Sequence, residues 1–263
     1  MEAAFFAGIA LLCMGSFIFR LLTLWGSSAA FLTGALTFYS FQWQGLVILA
    51  MFFLTSSLLT KWKREVKQDY YSETLEDKKG RTVGQVFANG GASILAAIGA
   101  VFMPDPVWLI MFTGALATAT ADTWASEIGI LSKTKPFHLK EWRKVEAGLS
   151  GAVTRLGTIA AVLGAAAIGI SYYFLYDTSN LMGSGIIIFA GFFGNIADTL
   201  FGAWFEQKFF CQICKTETES KWHCKMKTVR IFGLPWVTNN LVNFSSTIIG
   251  ALMAGGLYIW TVN

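Results

Sequence analysis

The chain has 263 residues, 54% of them hydrophobic and 14% charged, with a net charge of +4. A soluble domain carries about 25% charged residues, so the remaining class is a polytopic membrane protein, expected as a single integral membrane domain over residues 1–263. The positive balance is a topology signal before it is a sign of nucleic-acid binding, and no nucleic-acid partner is expected.

Apolar runs of about 17–25 residues predict roughly eight spans in chain order: 3–19, 21–38, 42–60, 84–103, 106–131, 156–176, 181–208 and 234–260. Barrel strands would alternate apolar and polar residues in short segments, whereas these runs are long and continuous. The predicted fold is an all-α helical bundle of about seven or eight transmembrane helices. Met1 to Arg20 lacks the basic n-region and the cleavage site of a signal peptide, so it reads as a span.

Of the 20 Lys and Arg residues, seven lie in 61–83, six in 132–155 and six in 208–230, and the last is Arg20. The connectors near Tyr39, Asp105 and Asp177 carry none. By the positive-inside rule the three basic loops are cytoplasmic and both termini lie outside. Basic membrane-facing loops also attract anionic head groups and phosphates, which admits membrane lipids and a phosphorylated ligand as partners.

Four acidic residues remain within the spans: Asp122 and Glu127 in the fifth, Asp198 and Glu206 in the seventh. The triplets Ala121-Asp122-Thr123 and Ala197-Asp198-Thr199 match in sequence and in depth. Each Asp lies about 24 Å along its helix, in the cytoplasmic half of the bilayer. An Asp at a helix centre costs about 2.5–3.5 kcal/mol, so intramembrane acids point to function. Each acid-bearing span follows a small-residue span leaving a basic loop. One begins at Gly80-Arg81 and the other at Gly148-Leu149, and a third such start is Gly233-Leu234. These helix pairs share an orientation, which predicts a parallel internal repeat.

Asp122 and Ser126 are four apart and share a helix face, as do Asn195 and Asp198 at three and Asp198 and Glu206 at eight, while Glu127 sits to the flank. Carboxylate and amide oxygens of this kind suit Mg²⁺, which binds one or two carboxylates plus substrate phosphates. Asp122 and Asp198 are the expected Mg²⁺ anchors, assisted by Glu127 or Glu206. Gln85, Asn89, Asn239, Asn240 and Asn243 stand where spans begin at the cytoplasmic face, and free helix N–H groups there suit phosphate. Arg81, Lys140, Arg143, Lys144 and Arg155 are candidate phosphate partners; Arg81 and Arg155 stand out because each immediately precedes a span with polar entry residues. Gly114, Ala115, Gly191 and Gly194 predict close helix packing around the acids.

The third basic loop carries Cys211-x-x-Cys214 and His223-Cys224, four soft ligands suited to a structural Zn²⁺ in an insert over 211–224. Disulfides are not expected in a cytosolic loop.

The strings Gly80-Arg81-Thr-Val-Gly-Gln85-Val-Phe-Ala-Asn89-Gly90-Gly91, Ala121-Asp122-Thr-Trp-Ala-Ser126-Glu127-Ile-Gly129 and Asn239-Asn240-Leu-Val-Asn243 resemble those of the transmembrane protein 19 family, also called domain of unknown function 92. The resemblance extends from about Gly34 to about Gly250. It includes the plastid phytyl-phosphate kinase of vitamin E synthesis. It therefore implies an isoprenoid-phosphate kinase that takes a nucleoside triphosphate, CTP being the expected donor, and an isoprenyl monophosphate. The chain lacks the transit peptide of the plant enzymes, which fits a prokaryotic plasma-membrane protein. No Walker A sequence is present, so the nucleotide site would be unconventional. Two other readings use the same residues: an ion-coupled transporter or lipid flippase, since carriers also use repeated helices with intramembrane acids, and a nonenzymatic membrane scaffold.

Overall fold

The computed structural model describes residues 2–63, 66–67 and 80–262, so part of the first basic loop lies outside the described residues. Seven helices occur among them: α1 (Glu2–Ile18), α2 (Leu24–Lys61), α3 (Val83–Phe102), α4 (Pro106–Gly129), α5 (Arg155–Leu175), α6 (Leu181–Phe205) and α7 (Asn239–Val262). Five of these (α2, α3, α5, α6 and α7) are long and apolar enough to cross a membrane.

Helix α2 covers two predicted spans. A straight helix separates residues eight apart by about 12 Å, yet a Cβ on Gly45 would lie 3.1 Å from the Thr37 methyl group. The reversal occurs at Gln42, the one residue of α2 with non-helical backbone (φ 57°, ψ −163°). Tyr176 Oη donates to the Phe41 carbonyl beside the break at 2.8 Å. Both ends of α2 consequently return to one end of the bundle: Thr23 N–H donates to the Arg81 carbonyl at 3.0 Å, and Lys61 Nζ to the Phe19 carbonyl at 2.8 Å. Counting the two arms of α2, eight helical segments follow the expected order.

Helix α4 is the centre of the bundle, with every residue from Phe112 to Ala121 buried. Its neighbours reach it through small residues. A Cβ on Gly114 would collide with Ala254 on α7, one on Gly191 would lie 2.6 Å from Ala117, and one on Gly164 would lie 3.0 Å from the Thr120 carbonyl. Gly194 and Gly250 both close on Thr118, so α4, α6 and α7 cross in tight contact one turn from Asp122. The polar residues on α4 satisfy themselves: Thr113, Thr118 and Thr120 each donate to a carbonyl four residues back, at 2.7–3.0 Å. The apolar core is built around Phe112, Leu116, Ile168, Ile187 and Ile48.

The second and third basic connectors, 132–155 and 208–230, fold into small sheets. Strands β1 (Phe137–His138), β2 (Arg143–Lys144) and β3 (Ala152–Val153) form one in the order β2-β1-β3. Strands β4 (Lys208–Phe210), β5 (Glu217–Thr218) and β8 (Val229–Phe232) form a second in the order β5-β4-β8, and β6 (Trp222–His223) pairs with β7 (Met226–Lys227). Two span boundaries are corrected by the same region. Helix α6 stops at Phe205, where Glu206 is extended (ψ 142°), so the chain leaves the helix before the predicted end at 208. Helix α7 begins at Asn239, because Gly233 (φ 83°) and Pro235 turn the preceding segment back against the end of α6. Leu234 N–H donates to the Phe205 carbonyl there at 3.0 Å.

Candidate functional site

Where the basic connectors meet the bundle, a cavity of about 860 Å³ opens between α3, α4, α6 and α7. Of the predicted residues, Arg81, Gln85, Asn89, Asp122, Ser126, Glu127, Asn195, Asp198, Asn239, Asn240 and Asn243 line it. Arg155 does not line it; it begins α5, exposed, after the Thr154 cap. Lys140 instead lines a smaller cavity of about 280 Å³ with Glu141 and Lys208. Arg143 pairs with Glu141, and Lys144 is exposed on β2.

The floor is made by the two repeated aspartates. Their carboxyl groups lie within hydrogen-bonding reach of each other across α4 and α6. Asn195 Nδ2 donates to Asp122 Oδ1 at 3.3 Å, and Ser246 Oγ on α7 donates to Asp198 Oδ2 at 2.9 Å. Two carboxylates this close cannot both carry charge without a cation or a shared proton between them. The donors around them, carboxylate and amide oxygens, match the preference of Mg²⁺ for hard ligands.

One wall is the start of α3 and α7. Thr82 caps α3 in a capping box: its side chain accepts from Gln85 N–H, and Gln85 Oε1 accepts from Thr82 N–H at 2.9 Å. The predicted phosphate-binding role of Gln85 thus competes with a helix-capping role. Asn89 Nδ2 donates to the Gln85 carbonyl at 3.0 Å, and its Oδ1 accepts from Asn243 Nδ2 at 3.5 Å. Asn243 Oδ1 is buried and has no hydrogen-bond partner among the described residues. Arg81 is fixed by its backbone: its N–H donates to the Leu21 carbonyl at 2.9 Å and its carbonyl accepts from Thr23 N–H. Gly80 (φ 101°) makes this approach possible, since a Cβ there would lie 2.8 Å from the Leu22 nitrogen. Burial holds the Arg81 guanidinium below its ordinary value, with the Glu127 charge acting the other way.

Of the remaining acids, only Glu206 departs from the helical-face expectation. Glu127, on the flank, is paired with Lys67 at 2.6 Å, and Lys67 Nζ also donates to the Leu59 carbonyl. Glu206 shares no helical face with Asp198, because α6 has ended. It is buried, does not line the cavity, and its Oε2 has no hydrogen-bond partner among the described residues. Burial, followed by the charge of Glu219, pushes its carboxyl up to about 8.

The rim adds residues that the sequence pattern did not single out. Arg20, Lys61 and Lys221 bring positive charge, and Thr218 to Trp222 line the cavity with them. Glu219 accepts from Ser150 N–H and ties that segment to the 148–154 loop. Gly151 (φ 84°) lets the same loop press on α6, where a Cβ would meet Ala203 at 2.5 Å. Ser246 was legible as the next step of the Asn240–Asn243 stripe at three-residue spacing. Lys67 carried no such signal among the seven cations of its loop.

Residues 7–251 match the family described as "Integral membrane protein DUF92". An uncharacterized membrane protein of Methanocaldococcus jannaschii is 38% identical over 176 residues, covering 66% of this chain and 71% of its own. An uncharacterized membrane protein of Synechocystis is 28% identical over 242 residues, covering 90% and 83%. The chloroplastic protein VTE6 of Arabidopsis thaliana is 24% identical over 243 residues, covering 87% of this chain and 63% of its own. No solved structure matches.

Proposed function

This chain belongs to the DUF92 family of integral membrane proteins, and from that premise we propose that it is a membrane prenyl-phosphate kinase. It transfers the terminal phosphoryl group of a nucleoside triphosphate, CTP as the expected donor, to an isoprenyl monophosphate such as phytyl phosphate. The family's resemblance to the plastid phytyl-phosphate kinase and the presence of a chloroplast relative support the class of reaction. The observation that carries the reading is the facing pair Asp122 and Asp198 on the floor of a cavity whose rim is cationic. An acceptor of this kind needs its tail among apolar helices and its head near the basic loops, and a nucleotide arrives from the cytosol.

In the transfer, an oxygen of the isoprenyl monophosphate attacks the terminal phosphorus. The bond from that phosphorus to the bridging oxygen breaks, and the nucleoside diphosphate leaves with the electron pair. The protein's part in such a reaction is positioning and charge neutralisation. Asp122 and Asp198, with Asn195, would hold Mg²⁺, which supplies charge neutralisation on the phosphates. Arg81, with Lys61 and Lys221 at the rim, faces the phosphate oxygens. Asn89, Asn240 and Asn243 offer amide donors at the two helix starts. Asn195 and Ser246 keep the aspartates aimed at one point. The lining residues all belong to the end of the bundle that carries the basic connectors, which favours a reaction at the cytoplasmic face of a prokaryotic plasma membrane over passage through the bundle.

The test is product formation by purified protein in detergent with Mg²⁺. Phytyl, geranylgeranyl, farnesyl and undecaprenyl monophosphates are offered against CTP, ATP, GTP and UTP, with mass-spectrometric readout. A diphosphate formed by the wild type and not by Asp122→Asn or Asp198→Asn is the expected result. No product from well-folded protein across the panel overturns the reading, and ion-driven flux in liposomes would then identify a carrier.

A further inference from the structure

We propose that Cys211, Cys214, His223 and Cys224 form a structural Zn²⁺ site that clamps the segment from Thr218 to Trp222, which lines the cavity. The four ligand atoms all lie within 4.8 Å of one another. Cys214 Sγ and Cys224 Sγ each lie 3.3 Å from His223 Nδ1. Tetrahedral zinc bonded to sulfur and imidazole nitrogen spaces its ligands by about 3.5–3.8 Å, so the cluster needs little movement to close on the ion.

The backbone is shaped for this convergence. The first pair sits on a tight turn in which Lys215 N–H donates to the Cys211 carbonyl at 3.0 Å and Lys215 is left-handed (φ 60°). The second pair sits on the β6–β7 hairpin, where Trp222 pairs with Lys227 and His223 with Met226. Its two-residue turn is Cys224-Lys225, both left-handed (φ 48° and 61°). A turn of that form favours Asn-Gly, and Cys-Lys is an unfavourable choice unless another interaction fixes it. The turn is also what allows neighbouring residues His223 and Cys224 to reach one centre. A disulfide between Cys211 and Cys214 would leave Cys224 and the imidazole, 3.3 Å apart, without a shared partner. Four protein ligands leave no open position, which is the pattern of a structural site rather than a catalytic one.

The segment between the ligand pairs contains Thr218 to Trp222, which line the cavity, and Glu219 reaches across to Ser150. Zinc would therefore fix the two ends of this strap. This inference does not depend on the kinase reading, since none of its readouts is activity.

Full-length protein purified in detergent under reducing, chelator-free conditions is expected to carry one zinc per chain by elemental mass spectrometry. The doubly substituted Cys214→Ser/Cys224→Ser protein should bind zinc more weakly by at least about 100-fold. Chelation of the wild type should speed tryptic cleavage at Lys215, Lys221 and Lys225 by about tenfold or more, with cleavage at Lys133 and Lys144 unchanged. Zinc well below one per chain after reconstitution overturns the site, as does equal binding by the substituted protein or a disulfide in the unreduced chain. If cleavage after chelation is unchanged in the strap, or rises equally everywhere, the clamp is overturned even where zinc binds. The chelation arm uses wild-type protein, so it stands if the substituted chain fails to fold.

Discussion

Helices α4 and α6 carry the same Ala-Asp-Thr triplet, yet the two aspartates are held differently. Asp122 lies on the central helix and takes its hydrogen bond from Asn195 on α6, while Asp198 takes its bond from Ser246 on α7. Beyond Asp122, α4 continues to Gly129, and its second acid, Glu127, is neutralised by Lys67. Beyond Asp198, α6 runs equally far, to Phe205, and the second acid, Glu206, stands just past its end, buried beside Glu219. Two helices with the same triplet thus present facing carboxylates and differ in what surrounds them. Both aspartates line one cavity, whereas the two glutamates stand in separate local surroundings.

Neutralising each aspartate in turn has the largest expected effect. If both serve one site, Asp122→Asn and Asp198→Asn should each lower phosphoryl transfer by at least about 10²–10³-fold, measured as diphosphate product per folded chain. Loss in one variant with near-normal activity in the other would mean that the second triplet is a relic of the repeat. The glutamates should behave differently. Glu127→Gln leaves Lys67 buried without its charge partner, so it should lower stability by about 3–5 kcal/mol, read by thermal unfolding in detergent. Replacing both partners, as Lys67→Met with Glu127→Leu, should restore most of that loss. If the single substitution is harmless, the pair is not the structural contact its 2.6 Å separation indicates.

Much of this arrangement was legible in the sequence. Two acids in apolar runs at one depth located the floor of the cavity, because the cost of burying charge in lipid leaves few other uses for them. The Lys and Arg distribution located the mouth, since the connectors meeting there are the basic ones. Legibility failed where the chain departs from regular periodicity. Assigning Glu206 to the face of Asp198 assumed a helix that continues for eight residues, and α6 ends one residue short. The strands of the basic loops are two to four residues long, too short for an alternating pattern to show. The reversal at Gln42 joins two expected spans with almost no connector, and a glutamine with a left-handed φ announces nothing in advance.

The tight crossing at Thr118 is the common support of both aspartates, and a smaller perturbation tests it. A Cβ on Gly250 would fall on Thr118 Oγ1, so Gly250→Ala should cost about 1–3 kcal/mol through overpacking. Thr118→Ala removes the obstructing oxygen, and the double variant should recover part of the loss. Additive losses in a double-mutant cycle would show that the two residues are not in contact.

A further effect concerns pH and separates Glu206 from Glu127. Burial and the neighbouring Glu219 hold the Glu206 carboxyl above its ordinary value, at about 8. The fold therefore favours the protonated acid. That stabilisation is complete below the ordinary glutamate pKa of about 4.3 and is lost as pH rises through the folded value. Wild-type protein should thus lose stability between about pH 5 and 8 relative to Glu206→Gln, whose uncharged amide mimics the protonated acid. The difference between their unfolding temperatures should widen steadily across that interval in favour of the variant. Glu219 is also pushed up by burial, so a residual slope should remain in Glu206→Gln and flatten further when Glu219→Gln is added. Parallel curves for wild type and Glu206→Gln would mean that the carboxyl is ionised in the fold with a counter-charge. The contrast between a paired acid after the first triplet and an unpaired one after the second would then disappear.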